Sequence, residues 1–75
     1  MAVTVKQVQG VAETLRGAMD NLQELIDAKQ EVLDNEEGRD YPNELRIESL
    51  RNQVDGLQEA FDEMENAAST LESYE

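Results

Sequence analysis

The sequence predicts an all-α fold, an antiparallel two-helix hairpin with coiled-coil-like packing that dimerises into a four-helix bundle. Apolar residues recur at helical spacing through both halves of the chain, and the single proline falls between those halves. Pairing the two helices also leaves one apolar edge on each, which calls for a second surface. We assign residues 1–75 to one domain, with helices over about 4–36 and 41–73 and a connector over about 37–40.

The first helix carries a broad apolar stripe. With Val8 assigned to heptad position a, apolar residues continue at a and fill position d from Val11 to Val32. Position e is apolar as well, as Val5, Ala12, Met19, Ile26 and Leu33. Three apolar positions in every heptad are typical of a core-facing bundle helix. We expect Lys29 to be the one charge in this seam, with its stem packed and its amine in solvent, or with a role in fixing register.

Residues 35–43 are predicted to be a connector between the helices and not a site. Gly38 is free to take the left-handed conformation that ends many helices, and Pro42 suits the first turn of a new one. Asp40 is a good N-cap for a helix that starts near Tyr41, and Asn43 is the alternative cap. The oxygen-bearing residues and the glycine do not fall at the spacing of an EF-hand, so we expect no calcium site.

The second helix has an unbroken seam. Apolar residues fill position a from Ile47 to Ala68 and position d from Leu50 to Leu71. The seam continues in phase through Asp55 and Gly56, and we therefore predict a continuous helix with Gly56 on its outer side. Position g is partly small or aromatic.

Placing position a of one helix opposite position d of the other sets a register. It pairs Val8 with Leu71 and the small Ala18 with the large Phe61. The edges left over form the candidate oligomer interface: Val5, Ala12, Met19, Ile26, Leu33, Ala60 and Ala67. The layout is similar to that of Rop-type hairpin dimers, but the RNA-binding role of Rop does not transfer to so acidic a chain.

The composition excludes several classes of function. Eighteen acidic residues against six basic ones give a net charge of −12, which disfavours binding to nucleic acid or to an anionic membrane. The chain has no cysteine and no histidine, so we expect no disulfide, metal site, cofactor or enzymatic activity. The first residues do not resemble a signal peptide, and no stretch is apolar enough to span a bilayer. We therefore expect a cytoplasmic protein.

Acidic residues accumulate toward the end of the chain, which has no base and seven acids from Asn52 onward. The candidate acidic partner-binding face consists of Asp55, Glu59, Asp62, Glu63 and Glu65. Like charges four residues apart repel, and acids near a helix C-terminus oppose its dipole, so the pattern costs stability. Three interpretations stay open: a solubilising surface, adaptation to high salt, and a surface that imitates DNA.

These observations predict a small non-enzymatic module for protein–protein interaction. Its general character is similar to that of small acidic proteins encoded by phages and mobile elements, some of which inhibit host DNA-binding or defence proteins. The expected partners are a second copy of the chain and a basic host protein. The alternative is a structural or assembly subunit whose acidity serves only solubility or life in high salt.

Overall fold

The computed structural model describes residues 2–75 and contains two α-helices, α1 (Val5–Glu37) and α2 (Glu44–Glu72). The helices pack side by side in opposite directions as a rod of 60 × 17 × 15 Å. The predicted all-α hairpin is confirmed. Neither helix of the described part has the length and apolar character that a membrane span requires.

Each helix begins at a side-chain cap. The Thr4 hydroxyl accepts a hydrogen bond from the Gln7 N–H (3.1 Å), and the Gln7 side chain accepts one from the Thr4 N–H (2.9 Å). Helix α2 starts later than the sequence predicts, because the cap is Asn43, whose side chain accepts from the Arg46 N–H (3.1 Å). Asp40, the first choice from the sequence, does not cap the helix.

The predicted left-handed conformation of Gly38 is wrong. Its φ of −83° and ψ of −1° are right-handed, and its N–H donates to the Asp34 carbonyl (3.0 Å). The glycine therefore continues the last turn of α1 and leaves the reversal of the chain to the residues that follow.

The seam of α1 lies at heptad positions a and e, and not at a and d. The e residues Ala12, Met19, Ile26 and Leu33 are 1–5% exposed. The d residues point outward instead, and Leu25 is 61% exposed. Helix α1 is thus rotated by one position about its axis relative to the prediction, and its e edge is covered by α2. The premise that this edge is left over for a second chain is wrong.

The register between the helices matches the prediction at one pair near the bend and departs from it at the neighbouring layer. Glu36, at position a, hydrogen-bonds the backbone of Asn43, at position d, as the prediction places them. Leu33 packs with Ile47 and Leu50, where Val32 was expected. If the pairing of Leu33 with Ile47 is continued along the rod, Ala12 falls opposite the wholly buried Ala68. Met19 then falls opposite Phe61, in place of the exposed Ala18.

Charged residues beside the seam are consistent with this rotation. Both edges of α1 are apolar, so hydrophobic burial alone hardly separates them. With e in the seam, position b of α1 lies beside position e of α2, and Arg16 reaches Glu65 and Glu72 there. With d in the seam, an apolar edge would face those carboxylates.

Candidate interaction surfaces

Two of the ion-pair groups between the helices, those of Arg16 and Arg51, lie on one side of the hairpin. The Arg16 guanidinium binds Glu72 through two hydrogen bonds (Nη2–Oε1 2.6 Å and Nε–Oε2 3.1 Å) and also contacts Glu65. These bonds raise the pKa of Arg16 and lower the pKa of the Glu72 carboxyl below its usual value. Arg51 pairs with Glu37 nearer the bend (3.3 Å). Two carboxylates near the end of α2 are therefore neutralised in part by a base from α1.

The five residues of the candidate acidic face do not act alike. Glu65 is partly buried, and its carboxylate is held by Arg16. The other four are exposed and lie along the outer side of α2; we name them the acidic stripe: Asp55, Glu59, Asp62 and Glu63. At 1.5 Å per residue the stripe places four carboxylates within about 12 Å. One strand of DNA places a phosphate about every 3.4 Å, so the linear charge densities are comparable.

The side of the hairpin opposite the ion pairs carries almost no charge. We name it the charge-free face; it consists of position d of α1 and position g of α2, as Val11, Ala18, Leu25, Val32, Ala60 and Ala67. The neighbouring position g of α1 holds Gln, Thr, Asn and Ala in turn, with no charge from Gln7 to Asn35. Arg46, at the bend end, directs its Nε toward Glu36 (3.6 Å). The two sides of the hairpin therefore differ sharply in charge.

A shallow groove of about 400 Å³ opens on the charge-free face. It is lined by Leu25, Ala28, Lys29, Val32 and Leu57, mostly through carbon atoms. Lys29 is half-buried, as expected for a lysine whose stem packs along the seam. Of the residues predicted for the oligomer interface, only Ala60 and Ala67 fall on this face, and Val5 remains partly exposed at the start of α1.

The bend is held by a buried acid. Glu36 is 5% exposed, and its carboxylate accepts hydrogen bonds from the Asn43 N–H (3.1 Å) and from Arg39 Nη1 (3.0 Å). These bonds lower the pKa of Glu36 below its usual value, with the backbone N–H of Asn43 as the largest cause. Tyr41 and Leu45 stand out from the bend, 92% and 80% exposed.

Two residues that shape these surfaces were missed from the sequence. Extending position a by one heptad beyond Lys29 gives Glu36, so the seam contains a second charge. Arg16 is the one base at position b of α1, beside two acids of α2. Both signals were present in the heptad pattern, and they become visible once the flanking positions of both helices are compared.

The chemistry available to the described residues is electrostatic and hydrophobic. No three acidic side chains within residues 2–75 lie close enough together to hold a metal ion. The acidic stripe can attract a basic surface, and the charge-free face can be covered by an apolar one. Comparisons with protein-family models, with curated proteins and with solved structures found no match to this chain.

Proposed function

We propose that the protein is a small non-enzymatic module for protein–protein interaction. The observation that carries the proposal is the separation of charge between the two sides of the hairpin, since scattered acids would suffice for solubility. Each helix exposes its acids away from the charge-free face, and the acidic stripe stays without a basic partner among the described residues. Such a rod offers two different surfaces to two different partners.

The acidic stripe is proposed to bind a basic protein in the place of DNA. Four exposed carboxylates at nearly the spacing of phosphates support this role, as does the cost of placing like charges at Asp55 and Glu59. A basic groove that accepts a DNA strand would gain the same long-range attraction from this rod. A host DNA-binding protein, inhibited by a protein of a phage or mobile element, is the partner this chemistry fits.

The hairpin is also proposed to dimerise into a four-helix bundle. A two-helix rod of 8.5 kDa buries little apolar surface, and chains of this size commonly gain stability by association. The exposed apolar residues of α1 support a dimer, although they lie on a different edge from the one that the sequence predicted.

The second candidate function is a structural or assembly subunit. Glu65 and Glu72 favour it, because these two acids stabilise the hairpin itself through Arg16 and need no external partner. In this case the acidic stripe keeps the rod in solution, and the charge-free face makes the assembly.

The test compares two variants that each lose four negative charges. One neutralises the acidic stripe (Asp55→Asn, Glu59→Gln, Asp62→Asn, Glu63→Gln); its matched control neutralises the outer acids of α1 (Glu13→Gln, Asp20→Asn, Asp27→Asn, Asp34→Asn). Proteins captured from a host lysate are identified, purified and titrated with both variants, with and without competing DNA.

We expect DNA to compete with the protein, the stripe variant to bind at least tenfold more weakly, and the control to stay within about threefold of wild type. Binding should also weaken steeply with salt, since exposed charges are screened. A partner that both variants and high salt leave bound would contradict the DNA-imitation role. It would favour the assembly function instead.

A further inference from the structure

We propose that a second copy of this chain covers the charge-free face, with the groove beside Leu25 and Val32 at the centre of the contact. This inference rests on the proposed dimer and assigns its interface. It moves the interface from position e of α1, which α2 already covers, to position d.

The apolar content of the face calls for a cover. Val11 and Leu25 are 58% and 61% exposed. Together with Ala18 and Val32 they form a row along α1 in which each residue follows the previous one by seven positions. Single exposed apolar residues are common on proteins, but a continuous row beside an apolar groove marks an interaction surface. Position g of α1 carries no charge, so Lys29 is the one charged residue that lines the groove at the centre of the contact.

The area of the face suits a dimer. From Gln7 to Asn35 it runs about 42 Å along α1 at 1.5 Å per residue. With the 17 Å width of the rod, one copy could contribute about 700 Å². Stable interfaces take about 600–1,000 Å² from each partner, so the face is large enough if a second rod covers nearly all of it.

Charge selects a second copy over a basic partner. A basic protein is drawn to the acids, which lie away from this face, and it would gain nothing from uncharged residues. In two copies that meet here, the acids lie at other heptad positions than the d of α1 and the g of α2 that make the contact. Repulsion between exposed charges of the two copies falls off over the Debye length of about 8 Å at physiological salt.

The test introduces charge into the face. Leu25→Glu with Val32→Glu adds two negative charges at the groove, on residues already in contact with solvent in the hairpin. The control, Asn52→Glu with Asn66→Glu, adds the same charge on the outer side of α2, where both residues are exposed. Sedimentation equilibrium at micromolar concentration gives the mass, and circular dichroism gives the helix content.

We expect wild type and control to sediment at twice the 8.5 kDa chain mass, and the groove variant to sediment as a helical monomer. A monomeric wild type would overturn both the dimer and this interface. A dimer that survives in the groove variant would overturn the interface and leave the dimer standing. Neither result affects the proposed role of the acidic stripe, which the partner-binding assay tests independently.

A second measurement does not depend on the folding of the charged variant. The chain has no cysteine, so Ala18→Cys places one thiol on the charge-free face, and Asn66→Cys places one outside it. Iodoacetamide should alkylate the Ala18→Cys protein at least fivefold more slowly at high than at low protein concentration, while the Asn66→Cys rate stays constant. Equal rates for Ala18→Cys at both concentrations would overturn the interface.

Discussion

The side chain of Glu36, near the end of α1, accepts a hydrogen bond from the backbone N–H of Asn43, the residue that caps α2 (3.1 Å). Asn43 therefore makes two hydrogen bonds at the start of α2. Its side chain accepts from the first turn of α2, and its N–H donates to Glu36 of α1. Arg39 and Arg46 approach the same carboxylate from either side of the bend. One buried acid thus fixes the point at which the second helix begins.

Replacing this acid should destabilise the hairpin at neutral pH. Glu36→Gln keeps an oxygen for the Asn43 N–H but loses the charge that Arg39 and Arg46 face. We expect the melting temperature at pH 7 to fall by on the order of 5 °C. Glu31→Gln, at an exposed position, is the control and should leave it unchanged. Equal melting of both variants would show that the bend does not depend on Glu36.

The effect of Glu36→Gln on the melting temperature should depend on pH. Because the pKa of Glu36 is lower in the folded protein than its usual 4.5, the ionised carboxylate stabilises the fold at any pH well above that value. The contribution is lost as pH falls below 4.5 through the lowered pKa. The difference in melting temperature between wild type and Glu36→Gln should therefore be constant well above pH 4.5 and should narrow as the pH falls below 4.5 toward the lowered pKa. A difference that widens in acid would contradict the assignment.

Arg16 should hold the end of α2 in place. Arg16→Gln leaves Glu65 and Glu72 to repel each other and to oppose the dipole of α2. We expect amide hydrogen exchange over residues 66–72 to become several-fold faster, and added salt to reverse part of the change. Arg51→Gln, which breaks the single hydrogen bond to Glu37 nearer the bend, is the control and should leave that segment unchanged.

The sequence predicted the helices and their hairpin but not which edge of α1 is buried, and the reason for the limit is local. Position a of α1 lies between the two candidate edges, positions d and e. It therefore faces α2 whichever of the two edges is buried. Positions d and e are equally apolar, so the choice between Leu25 and Ile26 depends on what lies across the groove between the helices. The observed rotation lets Arg16 reach acids about fifty residues away in the sequence. The pattern of a single helix carries no information about such pairs.

The candidate surfaces were predictable to a different degree. The acidic stripe follows from spacing on one helix: four of the five residues predicted for the acidic face are exposed. Glu65 does not belong with them because a base on the other helix reaches it. The α1 part of the charge-free face could not be separated from the seam until the rotation of α1 was known, since the heptad pattern places those residues in the core.

Adjacent residues of α1 provide a test of that rotation. Ile26 is 5% exposed and Leu25 is 61% exposed, although the two side chains have the same size. Ile26→Ala should reduce the free energy of unfolding by about 2–5 kcal/mol, as for a buried aliphatic residue. Leu25→Ala should cost less than about 0.5 kcal/mol at concentrations where the chain is monomeric. Urea unfolding measures both, and the reverse order would restore the seam at positions a and d.

Glycine substitutions separate backbone strain from helix propensity. A methyl group on Gly56 would meet no atom within 4 Å, so Gly56→Ala should stabilise α2 by about 1 kcal/mol. Gly38→Ala should be tolerated, because the residue is right-handed and its nearest contact would be the Asp34 carbonyl at 3.4 Å. Thermal melting compares the two variants. A loss of more than about 1 kcal/mol in Gly38→Ala would indicate the left-handed conformation that the sequence suggested.

The acidic stripe should reduce the stability of α2. Asp55, Glu59 and Glu63 are exposed like charges four residues apart along one helix, and repulsion of this kind destabilises a helix by a few tenths of a kcal/mol per pair. Neutralising the stripe should therefore raise the melting temperature in low salt by a few degrees, and the gain should vanish in 1 M salt, where screening acts over about 3 Å. Circular dichroism across a salt titration gives both values, with the α1 variant as control; its acids lie seven residues apart, and its gain should be smaller. A wild type that loses its helices in low salt and regains them in molar salt would instead identify an adaptation to high salt. A gain that persists in molar salt would mean that the stripe destabilises α2 through helix propensity and not through charge.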